Sequence, residues 1–67
     1  MSVARVTEIS SRSQTSFEAA INEGIDRANQ TLRNVRSAWI KEQQVDIENG
    51  RIVAYRVNML VTFVLDE

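Results

Sequence analysis

The stretch that decides the fold is Arg51–Leu65, which reads RIVAYRVNMLVTFVL. Every second position from Val53 onward is apolar: Val53, Tyr55, Val57, Met59, Val61, Phe63 and Leu65. Successive side chains of a β-strand point to opposite faces, so this period predicts a strand with one continuous apolar face. About fifteen residues is long, since strands usually run about 5 to 6. We therefore expect a long strand whose apolar face packs on a helix.

Asn49-Gly50 comes directly before this strand and predicts a tight hairpin with a second strand, Val35–Glu48. A type I′ turn needs positive φ at both central residues, which Asn and Gly tolerate best. A two-residue loop fixes the pairing that we expect: Glu48 with Arg51, Ile47 with Ile52, Val45 with Ala54, Gln43 with Arg56, Lys41 with Asn58, and Trp39 with Leu60.

Two further elements are expected upstream of the hairpin. Residues Val3–Ile9 alternate loosely and predict a short first strand, which the polar run Ser10–Gln14 should end. From Ser16 to about Asn34, apolar residues recur every three or four positions and predict an amphipathic helix. Thr15 followed by Glu18 indicates a capping box at its start.

Gly24 lies inside the predicted helix, where glycine costs up to about 1 kcal/mol relative to alanine. We interpret it as a point of close packing between helix and sheet. The order β-α-β-β then gives an α+β fold in which a three-stranded antiparallel sheet wraps partly around one helix.

The chain has 67 residues, net charge −1, and no Cys, His or Pro. We expect a single domain over residues 1–67. So short a chain buries only roughly 60% of the surface that its unfolded form exposes. Disulfides are excluded, and a tetrahedral zinc site is improbable because Cys and His are its usual ligands. Self-association is the remaining source of stability.

Composition also limits the function. Eight basic and nine acidic residues are intermingled, which is unlike the basic patch of a nucleic-acid-binding protein. Apolar runs are too short for a membrane span, and the N-terminus lacks the layout of a signal peptide. A soluble, cytoplasmic protein is expected. Without His, Cys or any G-x-S-x-G, phosphate-loop or H-E-x-x-H pattern, we expect no enzyme and no catalytic residues.

The second face of the long strand differs from the first. It carries Ile52, Ala54, Arg56, Asn58, Leu60, Thr62 and Val64, extended across the hairpin to Trp39. The chain has no second helix to cover this mixed surface. An exposed face with a Trp and several aliphatic side chains is typical of an inter-subunit or ligand-binding surface.

Four stretches resemble the dodecin family: Arg5-Val6, TSFEAA at residues 15–20, ANQTLRN at 28–34 and AYRVNMLVTFVLD at 54–66. The resemblance covers nearly the whole chain and implies a hollow homododecamer that stores flavins, such as riboflavin or FMN, between its subunits. It implies that ligands stack on a Trp shortly after the helix and bond to a Gln nineteen positions later. Those two positions correspond here to Ser37 and Arg56.

Both positions depart from the flavin-binding pattern, so the alternative is a flavin-independent member that binds cations such as calcium or small anions, or that is a purely structural assembly. Trp39, two residues beyond Ser37, is either a displaced stacking platform or interface packing. Arg56 either clamps a phosphate or carboxylate or pairs with Glu8, with Glu42 or with an acid of another subunit. Gln43 completes the candidate cofactor-binding set with Ser37, Trp39 and Arg56, although Gln43 and Lys41 are also typical of solvated or inter-subunit side chains.

The segments Arg36–Trp39 and Tyr55-Arg56 resemble the calcium-binding branch of the family more than the flavin branch. Calcium takes six to eight oxygen ligands. The available acids are Glu42, Asp46, Glu48 and Asp66, although each is equally typical of a solvated surface. The sequence contains no linear calcium-binding loop, and the metal ligands stay unknown at this stage.

Overall fold

A computed structural model describes residues 3–65 and contains four elements: β1 (Ala4–Ser13), α1 (Phe17–Thr31), β2 (Val35–Glu48) and β3 (Arg51–Val64). The strands form one antiparallel sheet in the order β1-β3-β2, so the long apolar strand β3 lies in the centre. The predicted β-α-β-β order and three-stranded antiparallel sheet are confirmed.

The core lies between α1 and one face of β3. Val57, Met59 and Val61 are fully buried, as is Ala20 on the facing side of the helix. Partly buried side chains pack around this centre: Ile9, Phe17, Ile21, Ile25, Ala38 and Ile40. The ring of Phe17 meets that of Tyr55 edge-on, with centroids 5.1 Å apart. The period-two pattern of β3 therefore identified the helix-facing side correctly.

Two local boundaries differ from the prediction for α1. Ser16, rather than Thr15, is the N-cap residue, and its Oγ accepts a hydrogen bond of 3.0 Å from Ala19 N–H. The Thr15 N–H instead donates to Ser13 Oγ. The helix also ends earlier than expected, at Thr31, because the C-cap residue Leu32 is already extended, with φ of −118° and ψ of 145°. Asn34 then adopts a positive φ of 61° directly before β2.

The first strand is longer than predicted. The polar run at residues 10–13 does not break β1, which continues to Ser13 opposite Tyr55. Pairing with the long central strand overrides the weak strand preference of serine. The alternation also persists, because Ser11 and Ser13 lie on the helix side opposite Val57 and Tyr55, whereas Ser10 and Arg12 occupy the other face.

The hairpin turn is as predicted, with φ of 51° at Asn49 and 75° at Gly50. The predicted pairs Glu48 with Arg51, Ile47 with Ile52, and Trp39 with Leu60 are confirmed. The three pairs between them are wrong. Ala54 pairs with Asp46, Arg56 with Gln44, and Asn58 with Glu42.

Two β-bulges explain this local shift. One lies between the Ile47 and Asp46 pairs and adds Val53 to β3, which moves the pairing by one residue. The second, between Ile40 and Glu42, adds Lys41 to β2 and restores the expected register at Trp39. Because side chains alternate, a one-residue shift transfers each β2 side chain in this interval to the other face.

The open sheet face as a candidate binding surface

The sheet face opposite α1 is here called the open sheet face. The helix packs only on the face of Val57, Met59 and Val61. Alternate side chains of all three strands therefore point to the other, uncovered face. Pairing and alternation place on it Ala4, Val6, Glu8, Ser10 and Arg12 of β1, Ala54, Arg56, Asn58, Leu60, Thr62 and Val64 of β3, and Ser37, Trp39, Glu42, Gln44 and Asp46 of β2.

Among the large apolar residues that residues 3–65 place on this surface, Trp39 is the most exposed. The residue is 74% exposed and lies opposite Leu60 in the β2–β3 ladder. Ser37, two positions earlier on the same face, pairs with Thr62 and is also exposed. A largely exposed aromatic side chain beside the small hydroxyl side chains of Ser37 and Thr62 provides room for a flat ligand or a second subunit.

A charged cluster occupies the same face closer to the hairpin. Arg12 lies directly opposite Arg56 in the β1–β3 ladder, and the Asp46 carboxylate lies between their side chains. Asp46 Oδ2 accepts from Arg12 Nε at 2.9 Å and from Arg56 Nη2 at 3.3 Å. The guanidinium of Arg12 and, more weakly, that of Arg56 lower the pKa of the Asp46 carboxyl below its ordinary value of 3.8.

Arg56 is incompletely paired within residues 3–65. Its Nε is buried and has no hydrogen-bond partner, although the side chain as a whole is 40% exposed. Buried polar groups are usually hydrogen-bonded, and each exception calls for a reason. Among residues 3–65, Arg56 Nε is therefore a buried side-chain donor without a hydrogen-bond partner.

The partners expected for Arg56 are engaged elsewhere. Glu8 receives hydrogen bonds from Lys41 Nζ at 3.3 and 3.4 Å, and Glu42 Oε1 accepts from Asn58 Nδ2 at 3.0 Å. The expectation that Arg56 pairs with Glu8 or Glu42 is therefore wrong within the subunit. The Val53 bulge is the reason, because it brings Asp46 onto the open sheet face beside Arg56.

The structure brings Ser37, Trp39 and Arg56 to one face. Gln43 pairs with Val57 and so lies on the opposite side of the sheet, again because of the bulges. As ligand contacts, all four residues stay predictions. Sequence reasoning missed Arg12 and the pairing of Asp46 with it, although continued alternation through Ser10 to Arg12 was the signal available in the sequence.

No group of three or more His, Cys, Asp or Glu side chains within residues 3–65 could hold a metal ion. Of the acids considered for calcium, Asp46 and Glu42 have intrachain partners, Glu48 is exposed at the hairpin, and Asp66 lies outside the described residues. In the same part of the chain, no helix is long and apolar enough to cross a membrane.

One helix, a long hairpin and an uncovered sheet face with an exposed Trp define a small α+β subunit whose open face has no cover within residues 3–65. The family model for Dodecin matches residues 3–66. The chain therefore belongs to the dodecin family.

Individual relatives agree with this assignment. The chain is 33% identical over 63 residues to calcium dodecin from Mycobacterium tuberculosis, covering 94% of this chain and 89% of that protein. Among solved structures, dodecin from Streptomyces davaonensis superimposes with a TM-score of 0.93 at 38% identity, covering 98% of this chain and 97% of that one.

A crystal structure of the Mycobacterium tuberculosis calcium dodecin, described as having a novel calcium-binding site, is also similar. It gives a TM-score of 0.83 at 32% identity and covers 96% of this chain and 91% of that one.

Proposed function

We propose that this protein assembles as a homododecamer and stores a small ligand between its subunits, by non-covalent binding and without catalysing a reaction. Membership of the dodecin family supports the assembly. The observation that carries the binding proposal is the 74% exposure of Trp39 on the open sheet face. Covering an exposed apolar side chain of this size with a ligand or another subunit removes its surface from water, which stabilises the complex.

The ligand class that we favour is a planar aromatic cofactor such as a flavin, either riboflavin or FMN. The indole of Trp39 offers a flat face for stacking, and Ser37 beside it leaves space that a larger side chain would occupy. Stacked aromatic pairs contribute about 0.5–1.5 kcal/mol beyond the area that they bury.

Flavin-fluorescence quenching tests this proposal. Riboflavin titrated with the protein should lose fluorescence, and Trp39→Leu should weaken binding whereas Trp39→Phe retains part of it. Absence of quenching with the unmodified protein would reject flavin as the ligand. Equal binding by the unmodified protein and Trp39→Leu would assign Trp39 to packing between subunits instead.

The assembly is tested separately by light scattering. Twelve chains of 7.6 kDa give an expected mass of about 91 kDa. A mass close to that of one chain would reject the cage, whatever the flavin experiment shows.

A second candidate ligand is calcium, favoured by the 33% identity to a calcium dodecin over 94% of this chain. The described part of one subunit has no group of three acids that could hold a metal ion, so in this version carboxylates from several subunits gather around a symmetry axis, with carbonyl or water oxygens as further ligands. Glu42, Asp46 and Glu48 are the described acids available for it. Calcium, but not magnesium at the same concentration, should raise the Tm. Equal effects of both ions would leave calcium without support.

The cytoplasmic location expected from the sequence stays a prediction, as does the absence of turnover. Family membership supports a binding role, and we assign no catalytic residue.

A further inference from the structure

The turn at the end of the β2–β3 hairpin is open to water. All residues from Ile47 to Ile52 are exposed, and a Cβ added at Gly50 would meet no atom within 4 Å. The first strand does not reach this turn, because β1 ends opposite Tyr55. Groups in the turn can therefore move and react without displacing the core.

Asn49 lies in this turn directly before a glycine, which leaves the next main-chain nitrogen accessible to the Asn side chain. Bond formation between the side-chain carbon Cγ of an Asn and the main-chain nitrogen of the next residue closes a cyclic imide. A side chain on that next residue hinders the approach, and Gly50 has none. A β-turn is held by a hydrogen bond between its first and fourth residues, here Glu48 and Arg51, so this bond does not use the Gly50 nitrogen.

The other Asn residues of the chain lack this arrangement, because each precedes a residue that carries a side chain. These pairs are Asn22-Glu23, Asn29-Gln30, Asn34-Val35 and Asn58-Met59. The first two lie within α1, where each interior main-chain nitrogen is held in a hydrogen bond to the carbonyl four residues earlier. In β3, the amide of Asn58 donates to Glu42 Oε1 at 3.0 Å. Asn49 is therefore the one Asn of the chain that is followed by glycine.

Asn34 is the most informative comparison, because it shares the left-handed backbone of Asn49. Its φ is 61°, against 51° at Asn49. However, the β-branched Val35 follows it, and its Nδ2 donates to Val64 O at 3.3 Å. The Asn49 amide makes no such contact within residues 3–65, so it can rotate towards Gly50.

We propose that Asn49 is a site of spontaneous deamidation, in which the Gly50 main-chain nitrogen attacks the Asn49 side-chain amide. A bond forms between Gly50 N and Asn49 Cγ, the bond from Cγ to Nδ2 breaks, and Nδ2 leaves as ammonia with the Gly50 proton. Water then opens the cyclic imide at either carbonyl carbon. Breaking the bond to Cγ leaves an aspartate at position 49, whereas breaking the bond to the main-chain carbonyl carbon leaves an isoaspartate. The steps together consume one water, release one ammonia and need no oxidant or reductant.

The two products have the same charge and different backbones. Either one adds a carboxylate beside Glu48 and changes the net charge of the chain from −1 to −2. Asp-Gly is itself a type I′ sequence, so an aspartate keeps the hairpin. An isoaspartate adds one carbon atom to the main chain of a loop whose length fixes the register of the hairpin. The pairs next to the turn, Glu48 with Arg51 and Ile47 with Ile52, should therefore be the first to separate.

Peptide mapping of the assembled protein tests the proposal, because trypsin places every Asn of the chain on a different peptide. Cleavage after Lys41 and Arg51 gives a peptide of residues 42–51 in which Asn49 is the one Asn. After incubation in mildly alkaline buffer, amide loss at each Asn is measured by mass spectrometry against a sample digested without incubation. Asn49 should react at least about tenfold faster than Asn34, a difference of ~1.4 kcal/mol in activation free energy. Equal loss at the two positions would overturn the proposal.

Two variants test the mechanism. Asn49→Gly keeps a type I′ sequence, Gly-Gly, and has no side-chain amide, so its anion-exchange profile should stay unchanged on incubation. Asn49→Asp carries the new charge on a normal backbone. Unmodified protein incubated to completion should therefore melt below freshly prepared Asn49→Asp, since part of it contains isoaspartate. An acidic species that forms equally in Asn49→Gly would overturn the proposal. Absence of isoaspartate from the peptide of residues 42–51, measured by enzymatic methylation of that residue, would overturn the ring-closing route.

Discussion

Gly24 of α1 lies so close to Met59 of β3 that a Cβ at position 24 would overlap Met59 Cε. The same Cβ would lie 3.1 Å from Ser11 Cβ on β1. The absence of a side chain at Gly24 therefore allows the helix to approach the sheet closely, and the small side chain of Ser11 on β1 permits the same close approach. The predicted role of Gly24 in close packing is confirmed.

Gly24→Ala should lower stability despite the better helix propensity of alanine. The propensity gain is about 1 kcal/mol, whereas overpacking a filled core costs about 1–3 kcal/mol. Met59 is fully buried, so the flexible end of its side chain must shift within the core to admit the new methyl group. We expect a net loss of about 1 kcal/mol, measured by thermal or urea unfolding.

A double-mutant cycle identifies the overlap as the cause. Met59→Leu shortens the side chain that meets position 24, so Gly24→Ala should cost less, or stabilise, in that background. Glu23→Ala, at the neighbouring exposed position, is the control for the helix itself. An unchanged cost of Gly24→Ala in both backgrounds would place the strain elsewhere, at Ser11 for example.

Replacing the N-cap residue should distinguish Ser16 from Thr15. Ser16 Oγ accepts the Ala19 N–H, so Ser16→Ala leaves this donor without its partner and should cost about 1 kcal/mol. Thr15→Ala should have a much smaller effect, because the contact described for Thr15 uses its main-chain N–H. Thermal unfolding of the two variants provides the comparison. A larger loss for Thr15→Ala would restore the capping box expected from the sequence.

The predictable part of the fold came from long, regular patterns. The alternation of β3 and the Asn49-Gly50 turn are local signals, and they sufficed for the strand, the hairpin and the buried face. The bulges at Val53 and Lys41 have no comparable signal, since neither residue is Gly or Pro. They are accommodated by tertiary packing, so the register between them could not be predicted.

The same limit applies to the candidate site. The face on which Arg56 lies was predictable because it follows from the alternation of β3 alone. The face on which Trp39 lies was predictable because Trp39 keeps the expected pairing with Leu60 of β3. That Arg12 and Asp46 lie on the same face was not predicted. Their contact depends on a strand extension that central pairing imposes and on a bulge, and a single sequence reveals neither.

The charge of Asp46 should make part of the stability depend on acid pH. Arg12 first, and Arg56 second, hold its pKa below 3.8 in the folded protein. A lowered folded pKa contributes stability that is fully present above 3.8 and is lost as the pH falls through the folded value. The Tm difference between the unmodified protein and Asp46→Asn should therefore be largest near neutral pH and should shrink below about pH 4.

Salt and the two arginines provide the controls for this pH effect. The groups are partly exposed, so the Tm difference should be small and should fall further in 1 M salt. Arg12→Gln should reduce the pH dependence more than Arg56→Gln does, because Arg12 Nε makes the shorter contact, at 2.9 Å. If the unmodified protein and Asp46→Asn keep a constant Tm difference from pH 7 to pH 2.5, Asp46 is not the titrating group.

Trp39 is the one Trp of the chain, so intrinsic fluorescence reports directly on the open sheet face. Trp39 is 74% exposed in the isolated subunit, and covering its indole with a ligand or a second subunit would remove the ring from water. Emission from the assembled protein should therefore lie at shorter wavelength and resist acrylamide quenching, and dissociation into subunits should reverse both effects. If assembled protein and folded single subunits quench equally, Trp39 stays in water, and both ligand stacking and subunit packing at this face are contradicted.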